Sequence, residues 1–359
     1  MSAADPTYVI RAARVGDLAA FLRLRELAGA GFTSLMADDA ALEKRLKASV
    51  GAFGDPVEVP GSERYLLMLE HLPSQAIVGT AAVKATVGMM PPFFNFRVVT
   101  VAQASLAAQR RFDMDVLVLV NEYAGSSEVG SLFVHPDHRA GGVGRALAQA
   151  RYLLIAAAPH RFHPEVVSEL RGVVDENGGS PFWDALGQHF FQMSFQDADK
   201  LSATTDNQFI LDMMPRSPIY VDLLAPEARA VIGACHPHGQ GARRLLEWEG
   251  FRFDHVIDIF DGGPLMAAGR DSIRTARESR VVRVEAGHVT QGRRALLATN
   301  GVKGFACAPV RVELQGSHLQ GAHLQGAHLG DTVCASPAAL AALNLEAGET
   351  ARIWIADAD

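Results

Sequence analysis

The stretch Leu132-Phe-Val-His-Pro-Asp-His-Arg-Ala-Gly-Gly-Val-Gly-Arg145 constrains this chain more than any other. A β-rich run, Ser127 to Val134, passes through it into a helical run, Val143 to Ala158, where Val143, Ala146, Leu147, Ala150, Leu154 and Ala157 recur at steps of three and four. Pro159 stops that helix. Between the two runs lies Arg139-x-x-Gly142-x-Gly144. Glycines let the main chain approach a ligand closely, and the free N–H groups at a helix start attract phosphate. The turn therefore suits a diphosphate.

Two well-known phosphate loops do not fit. A nucleotide-hydrolysing P-loop needs Gly-Lys-Ser/Thr after its glycines, and here Gly144 is followed by Arg145-Ala146. A dinucleotide-binding turn belongs near the first strand, with an acid about twenty residues later. This turn lies far inside the chain, after a predicted antiparallel hairpin of Tyr65–Glu70 and Ala76–Val83 around Pro73-Ser74.

The rest of the chain mixes the two periodicities. A strand is predicted at Tyr8–Ala12 and a helix at Val15–Ala28, then strand-to-helix units over 166–189 and a helix over 236–250 leading into a strand at Phe251–Phe260. After about Gly262 the runs become short, alternating and rich in Val and Arg, as in Arg280–Val284 and Ala351–Ile355. We therefore expect a body over residues 1–265 and a small β-rich domain over 266–359. Within the latter, Leu314-Gln-Gly-Ser-His, Leu319-Gln-Gly-Ala-His and Leu324-Gln-Gly-Ala-His repeat every five residues. The three histidines have no acidic or cysteine partner nearby, so we read a solvated loop from a repeated insertion and expect no metal.

Composition removes whole classes of function. The balance of 33 Lys and Arg against 40 Asp and Glu leaves a net charge of −7, which repels a polyanion, so no nucleic-acid partner is expected. Cys235, Cys307 and Cys334 form no C-x-x-C pair, which excludes a thiolate zinc site and fits a reducing cytoplasm. No apolar run approaches the ~20 residues that span a bilayer, and the opening residues lack a leader pattern, so no membrane association is expected.

The Leu-x-Val-x-Pro strand, the Arg-x-x-Gly-x-Gly turn and the following helix resemble the coenzyme A loop of the GCN5-related acetyltransferase (GNAT) superfamily. Ala242-Arg-Arg-Leu-Leu-Glu-Trp-Glu-Gly-Phe251 resembles that superfamily's later helix. The implied fold class is α+β, a GNAT-type fold with a mixed, mostly antiparallel sheet flanked by helices. Further blocks narrow the match: Ala30-Gly-Phe-Thr-Ser-Leu35, Phe94-Asn-Phe-Arg97, Gly125-Ser-Ser-Glu128, Glu169-Leu-Arg-Gly-Val173, Ser180-Pro-Phe-Trp183 and Val256-Ile-Asp-Ile-Phe-Asp-Gly-Gly-Pro264. Together they resemble the arginine N-succinyltransferase family over nearly the whole chain.

That resemblance implies transfer of succinyl from succinyl-CoA, the acyl-donor cosubstrate, to the α-amino group of L-arginine. Some members pair two related subunits and also accept L-ornithine, so a homo-oligomer or a complex with a related subunit is expected. The rival readings are a GNAT enzyme that acetylates another amine, and a CoA-binding, non-catalytic subunit. By match to the family motif, His236 is the proton donor and Leu132 a succinyl-CoA contact. The GNAT likeness adds Val134, Arg139, Gly141, Gly142, Val143, Gly144 and Arg145 to the expected cofactor-binding set. His238-Gly-Gln-Gly241 and Met36 depart from the family's usual wording.

Chemistry supplies the remaining candidates. A guanidinium calls for a planar carboxylate and a succinyl carboxylate for Arg or Lys. The acids considered are Glu128, Asp175, Glu176, Asp258 and Asp261, and the cations Arg97 and Arg171. Glu128 and Arg171 rank first as substrate-binding residues. A helix start at Pro237 would depress the pKa of His236 and make its imidazolium a ready acid. Cys235, adjacent in sequence, is expected to point away from it.

Overall fold

The computed structural model describes residues 5–28, 38–176, 178–204, 208–290, 292–315 and 331–356. The Ala30–Leu35 block, Met36 and the pentapeptide repeat from Gly316 onward lie outside the described residues.

The chain begins with β1 (Tyr8–Ala12), α1 (Leu18–Ala28), α2 (Asp39–Gly54), β2 (Arg64–His71) and β3 (Ala76–Lys84). A hairpin of β4 (Asn95–Ser105) and β5 (Arg110–Val120) precedes β6 (Ser127–Val134), α3 (Val143–Ala157) and β7 (Glu165–Glu169). Four helices follow: α4 (Pro181–Ala185), α5 (Gly187–Phe191), α6 (Phe195–Thr204) and α7 (Gln208–Met213). Next come β8 (Ile219–Tyr220), α8 (Pro226–Val231), α9 (Gln240–Glu249), β9 (Arg252–Asp258) and β10 (Pro264–Gly269). The last elements are α10 (Arg274–Glu278), β11 (Arg280–Ala286), β12 (Arg293–Thr299), β13 (Ala306–Gln315), β14 (Thr332–Ala335), α11 (Pro337–Leu343) and β15 (Thr350–Ile355).

Two compact units divide the chain, one of residues 1–85, 129–164 and 270–359, the other of residues 86–128 and 165–269. In the first, β1, β2 and β3 pair antiparallel in sequence, and β1 also pairs antiparallel with β13. Strands β12, β15, β11, β14 and β13 close on themselves through a β12–β13 ladder. Val282, Val284, Leu297, Val312, Val333, Ile353, Leu340 and Leu343 fill that ring's core. This grouping differs from the expected 1–265 and 266–359 because β13 pairs with β1, which places the late strands with the start of the chain. In the second unit the order is β7-β10-β9-β4-β5-β8. The start of β6 lies parallel to β7, with Ser127 opposite Val166 and Glu128 opposite Val167. Phe96, Phe182, Trp183, Phe191, Ile257 and Ile259 anchor its core.

These ladders are antiparallel except at β6–β7 and β11–β14, so the sheets are mixed and mostly antiparallel, as the GNAT-type reading expects. Helix boundaries follow local chemistry. Ser180 and Ser336 cap α4 and α11, accepting the N–H groups of Trp183 and Ala339, with a proline as the next residue in each. Gly250 takes φ 98° and ends α9 by donating to the carbonyls of Leu246 and Glu247.

Candidate active site: a glycine cradle and a tethered histidine

The first component belongs to the first unit. Strand β6 carries Ser131 at φ 51°, a left-handed residue inside a strand, which re-aims the chain just before Leu132. Leu132 is half-buried, Val134 is buried, and the Val134 carbonyl accepts the Arg139 Nε–H at 2.9 Å. The Arg139 guanidinium also lies 5.6 Å from the Phe133 ring centroid. His135 starts a short turn at Pro136–His138, its Nδ1 accepting the Asp137 N–H at 3.3 Å.

Gly141 and Gly142 then take φ 68° and 80°, and Gly142 opens α3 without any side chain to cap it. A Cβ at Gly141, Gly142 or Gly144 would meet no atom within 4 Å. The glycines therefore leave open space over the first turn of α3, where main-chain N–H groups and the helix dipole favour an anion. Val143 contributes main chain only, because its side chain is buried at 6% exposure, whereas Arg139 and Arg145 reach the surface. Beside this turn a cluster escaped the sequence reading. The Tyr8 hydroxyl lies 3.0 Å from His138 Nδ1, and the His71 and His138 rings are 5.0 Å apart. Only pairing of β1 with β2 brings Tyr8 opposite His71.

The second component belongs to the second unit. His236 starts the short turn Pro237–Gly239 that runs into α9, and its Nδ1 accepts the His238 N–H at 3.2 Å. The neutral ring so held carries its proton on Nε2, a tautomer assigned from this hydrogen bond. The His236 N–H donates to the Arg171 carbonyl at 2.8 Å. Burial first, then the charges of His238 and Arg171, push the His236 pKa below its ordinary value. Cys235 is buried and its thiol pKa is raised by burial, which leaves it a poor nucleophile.

The structure sorts the charged candidates. Arg171 stands over the Phe195 ring at 5.4 Å and 3.8 Å from Asp199. It adjoins His236 through its own carbonyl. Glu128 is buried at 8% exposure opposite Val167. Arg97 is held elsewhere in the same unit: its Nε donates to both Glu122 carboxylate oxygens at 2.8 and 3.0 Å, and Nη2 to Asp254 at 2.9 Å. Asp254 also accepts from the Tyr123 hydroxyl at 2.8 Å. A guanidinium so engaged must break these bonds before it can grip a substrate carboxylate. Asp175 closes a local turn by accepting the Gly179 N–H at 2.8 Å. Asp258 and Asp261 accept main-chain N–H groups of their own turn.

Clefts of about 380 and 340 Å³ in the first unit share Arg11, Arg14 and Glu70 and contain none of the expected site residues. Arg11 there is locked to Asp17 and Glu70 at 2.8 and 2.6 Å. Among the described residues no group of three or more His, Cys, Asp or Glu is placed to hold a metal ion, and no helix is long and apolar enough to cross a membrane.

Comparison with known proteins now decides the family. Residues 8–275 match the family described as "Arginine N-succinyltransferase beta subunit". The chain belongs to the arginine N-succinyltransferase family. It is an acyltransferase. It is 42% identical over 285 residues to the arginine N-succinyltransferase of Enterobacter sp. (strain 638), covering 79% of this chain and 82% of that protein. Against the enzyme of Salmonella schwarzengrund (strain CVM19633) the identity is 40% over 314 residues, 87% of this chain and 91% of the relative. Arginine/ornithine succinyltransferase subunit AI from Pseudomonas aeruginosa has a similar structure, with a TM-score of 0.85 and 32% identity over 98% of this chain and 99% of that one.

Proposed function

We propose that this chain transfers the succinyl group of succinyl-CoA to the α-amino group of L-arginine, giving N2-succinyl-L-arginine and CoA, the opening step of arginine catabolism by succinylation. One observation carries the reading: in a chain of this family, the turn before α3 is an open cradle of uncapped helix-start amides, suited to the diphosphate of an acyl-CoA. Arg139 and Arg145, both at the surface, add positive charge to that turn.

The chemistry needs a free amine, a polarised thioester carbonyl and a stabilised leaving thiolate. Main-chain groups of the Leu132–Val134 segment are assigned to the pantetheine and the thioester oxygen. His236 is assigned the role of proton donor to the leaving sulfur, and its lowered basicity makes any proton it takes easy to pass on. The substrate ammonium loses one proton before attack and a second as the amide forms. One ends on the CoA thiol and the other in solvent, so each turnover releases a net proton. We assign Glu128 to the guanidinium and Arg171 to the succinyl carboxylate.

The subunit named in the Pseudomonas relative favours a second reading for the acceptor, in which ornithine is also used, and for assembly, in which this chain works beside a related one. The decisive experiment offers the purified chain succinyl-CoA or acetyl-CoA with arginine or ornithine and reads product mass. Succinylated arginine from this chain alone is the expected result. Acetylated product only, or turnover that requires a second chain, would replace the reading.

A further inference from the structure

The turn between β9 and β10 contains two aspartates that the proposed chemistry does not use. Asp258 Oδ1 accepts the N–H groups of Phe260 at 2.7 Å and Asp261 at 2.9 Å. Asp261 is 5% exposed and its Oδ1 accepts the Gly263 N–H at 2.9 Å, with the Gly172 N–H as a further donor. The two carboxyl groups lie in the same turn, and the charge of Asp261 opposes ionisation of Asp258. Two interacting carboxylates removed from water cannot both ionise cheaply, so the pair holds one proton between them.

This turn is tied to His236 at two points. Asp261 holds Gly172, whose neighbour Arg171 offers the carbonyl that accepts the His236 N–H. Three residues before the histidine, the Gly233 N–H donates to the Gly262 carbonyl at 2.8 Å. The packing is tight enough to require glycine. A Cβ at Gly172 would lie 2.3 Å from the Asp261 carbonyl oxygen, and one at Gly263 would lie 2.2 Å from the Leu170 carbonyl oxygen.

We propose that Asp258 and Asp261, paired in the turn that anchors both tethers, are positioning residues for His236, and that losing the proton they share slackens both tethers and misplaces the imidazole. The proposal rests on the assignment of His236 as the acid in the reaction above. Burial, followed by the neighbouring charge, raises the Asp258 pKa, and burial raises that of Asp261, so the proton is retained well above the ordinary carboxylate range. The charged groups that face the pair are Arg171, which favours an ionised Asp261, and Asp199 on α6, which disfavours an ionised Asp258. His236 and His238 lie on the tethered segment itself.

The test is the pH profile of kcat in three variants, with acyl-CoA binding by calorimetry and a thermal melt for each. D258A and D261A are expected to lower kcat by about 10²-fold, the scale of a misplaced catalytic group, with acyl-CoA affinity unchanged. D258N keeps an oxygen for the two N–H donors and offers Nδ2–H to Asp261 in place of the acid proton. It is expected to rescue kcat and to lack the alkaline decline of the wild type. Infrared spectra should show a carboxylic acid band at neutral pH in the wild type that D258N loses. The proposal is overturned if D258N is as impaired as D258A, if it keeps the wild-type alkaline decline, or if the acid band is absent. Should D258A not fold, D258N and the infrared band still decide the question. H236A, measured in parallel, separates the two claims: full kcat there removes the histidine assignment, whereas a dead H236A beside an unaffected D258A removes only the positioning role.

Discussion

Two His-Pro turns in this molecule share one local grammar and differ in what surrounds them. His135 and His236 have nearly the same backbone angles, φ −52° and ψ 135° against φ −51° and ψ 143°. Each precedes a proline, each accepts the N–H of the residue two further on at its Nδ1, and each donates its own N–H to a carbonyl at 2.8 Å, Val78 for one and Arg171 for the other. After His135 the chain passes two left-handed glycines before its helix, leaving open amides. After His236 it runs straight into α9. The same capping device thus presents main chain in one place and an imidazole in the other. Two things differ: the glycines between turn and helix, which the sequence shows, and the packing of neighbouring segments, which it does not.

The largest effect that can break this contrast is catalytic. His236→Ala should lower kcat by about 10²-fold or more with little change in acyl-CoA affinity, the scale of a lost general acid or base. His135→Ala should leave kcat nearly intact and cost about 1 kcal/mol of stability, as a lost cap does, in a denaturant melt. Equal losses of kcat in the two variants would erase the distinction. Next comes packing: Gly172→Ala places a methyl against Asp261 and should destabilise the protein by about 1–3 kcal/mol in the same melt.

A smaller effect tests the open turn. Gly142→Asp finds open space for its side chain but strains a left-handed backbone, and it puts a negative charge where the diphosphate is assigned, so acyl-CoA should bind at least about tenfold more weakly by calorimetry, or about 1.4 kcal/mol. Unaltered binding would move the diphosphate elsewhere. The smallest effect is on acid stability. The folded pKa of His236 lies below its unfolded value near 6.5, so the unfolded chain takes up the proton first. Its contribution is intact above that pH and lost as pH falls through the folded value. Melting temperature should therefore drop less on acidification in His236→Gln than in the wild type.

The amphipathic run of α3, the β2–β3 hairpin and the glycine turn were legible from periodicity and turn chemistry, because each is a local pattern. The β4–β5 hairpin was not anticipated, although its strands are eleven residues each. Much of β4 and β5 is exposed on both faces, so no alternation marks them. The roles of Arg97 and of the two aspartates were also invisible. Arg97 meets Asp254 across 157 positions of sequence, and Asp261 meets Gly172 only because β7, β10 and β9 lie side by side. Such encounters are products of sheet order. Conversely, the positive φ of Ser131 has no sequence signal, since nothing in a serine announces a left-handed bend inside a strand.

The ring of late strands has a consequence for how this protein can change over time. The β13–β14 ladder is already in register at Gln315 opposite Thr332, with Val333, Cys334 and Ala335 paired behind it. Lengthening the joining chain therefore leaves every rung untouched, and each doubling of its length costs only about 0.6 kcal/mol in closure entropy. Adding or deleting a five-residue unit at this point is therefore expected to leave the β13–β14 pairing unchanged and the stability nearly so.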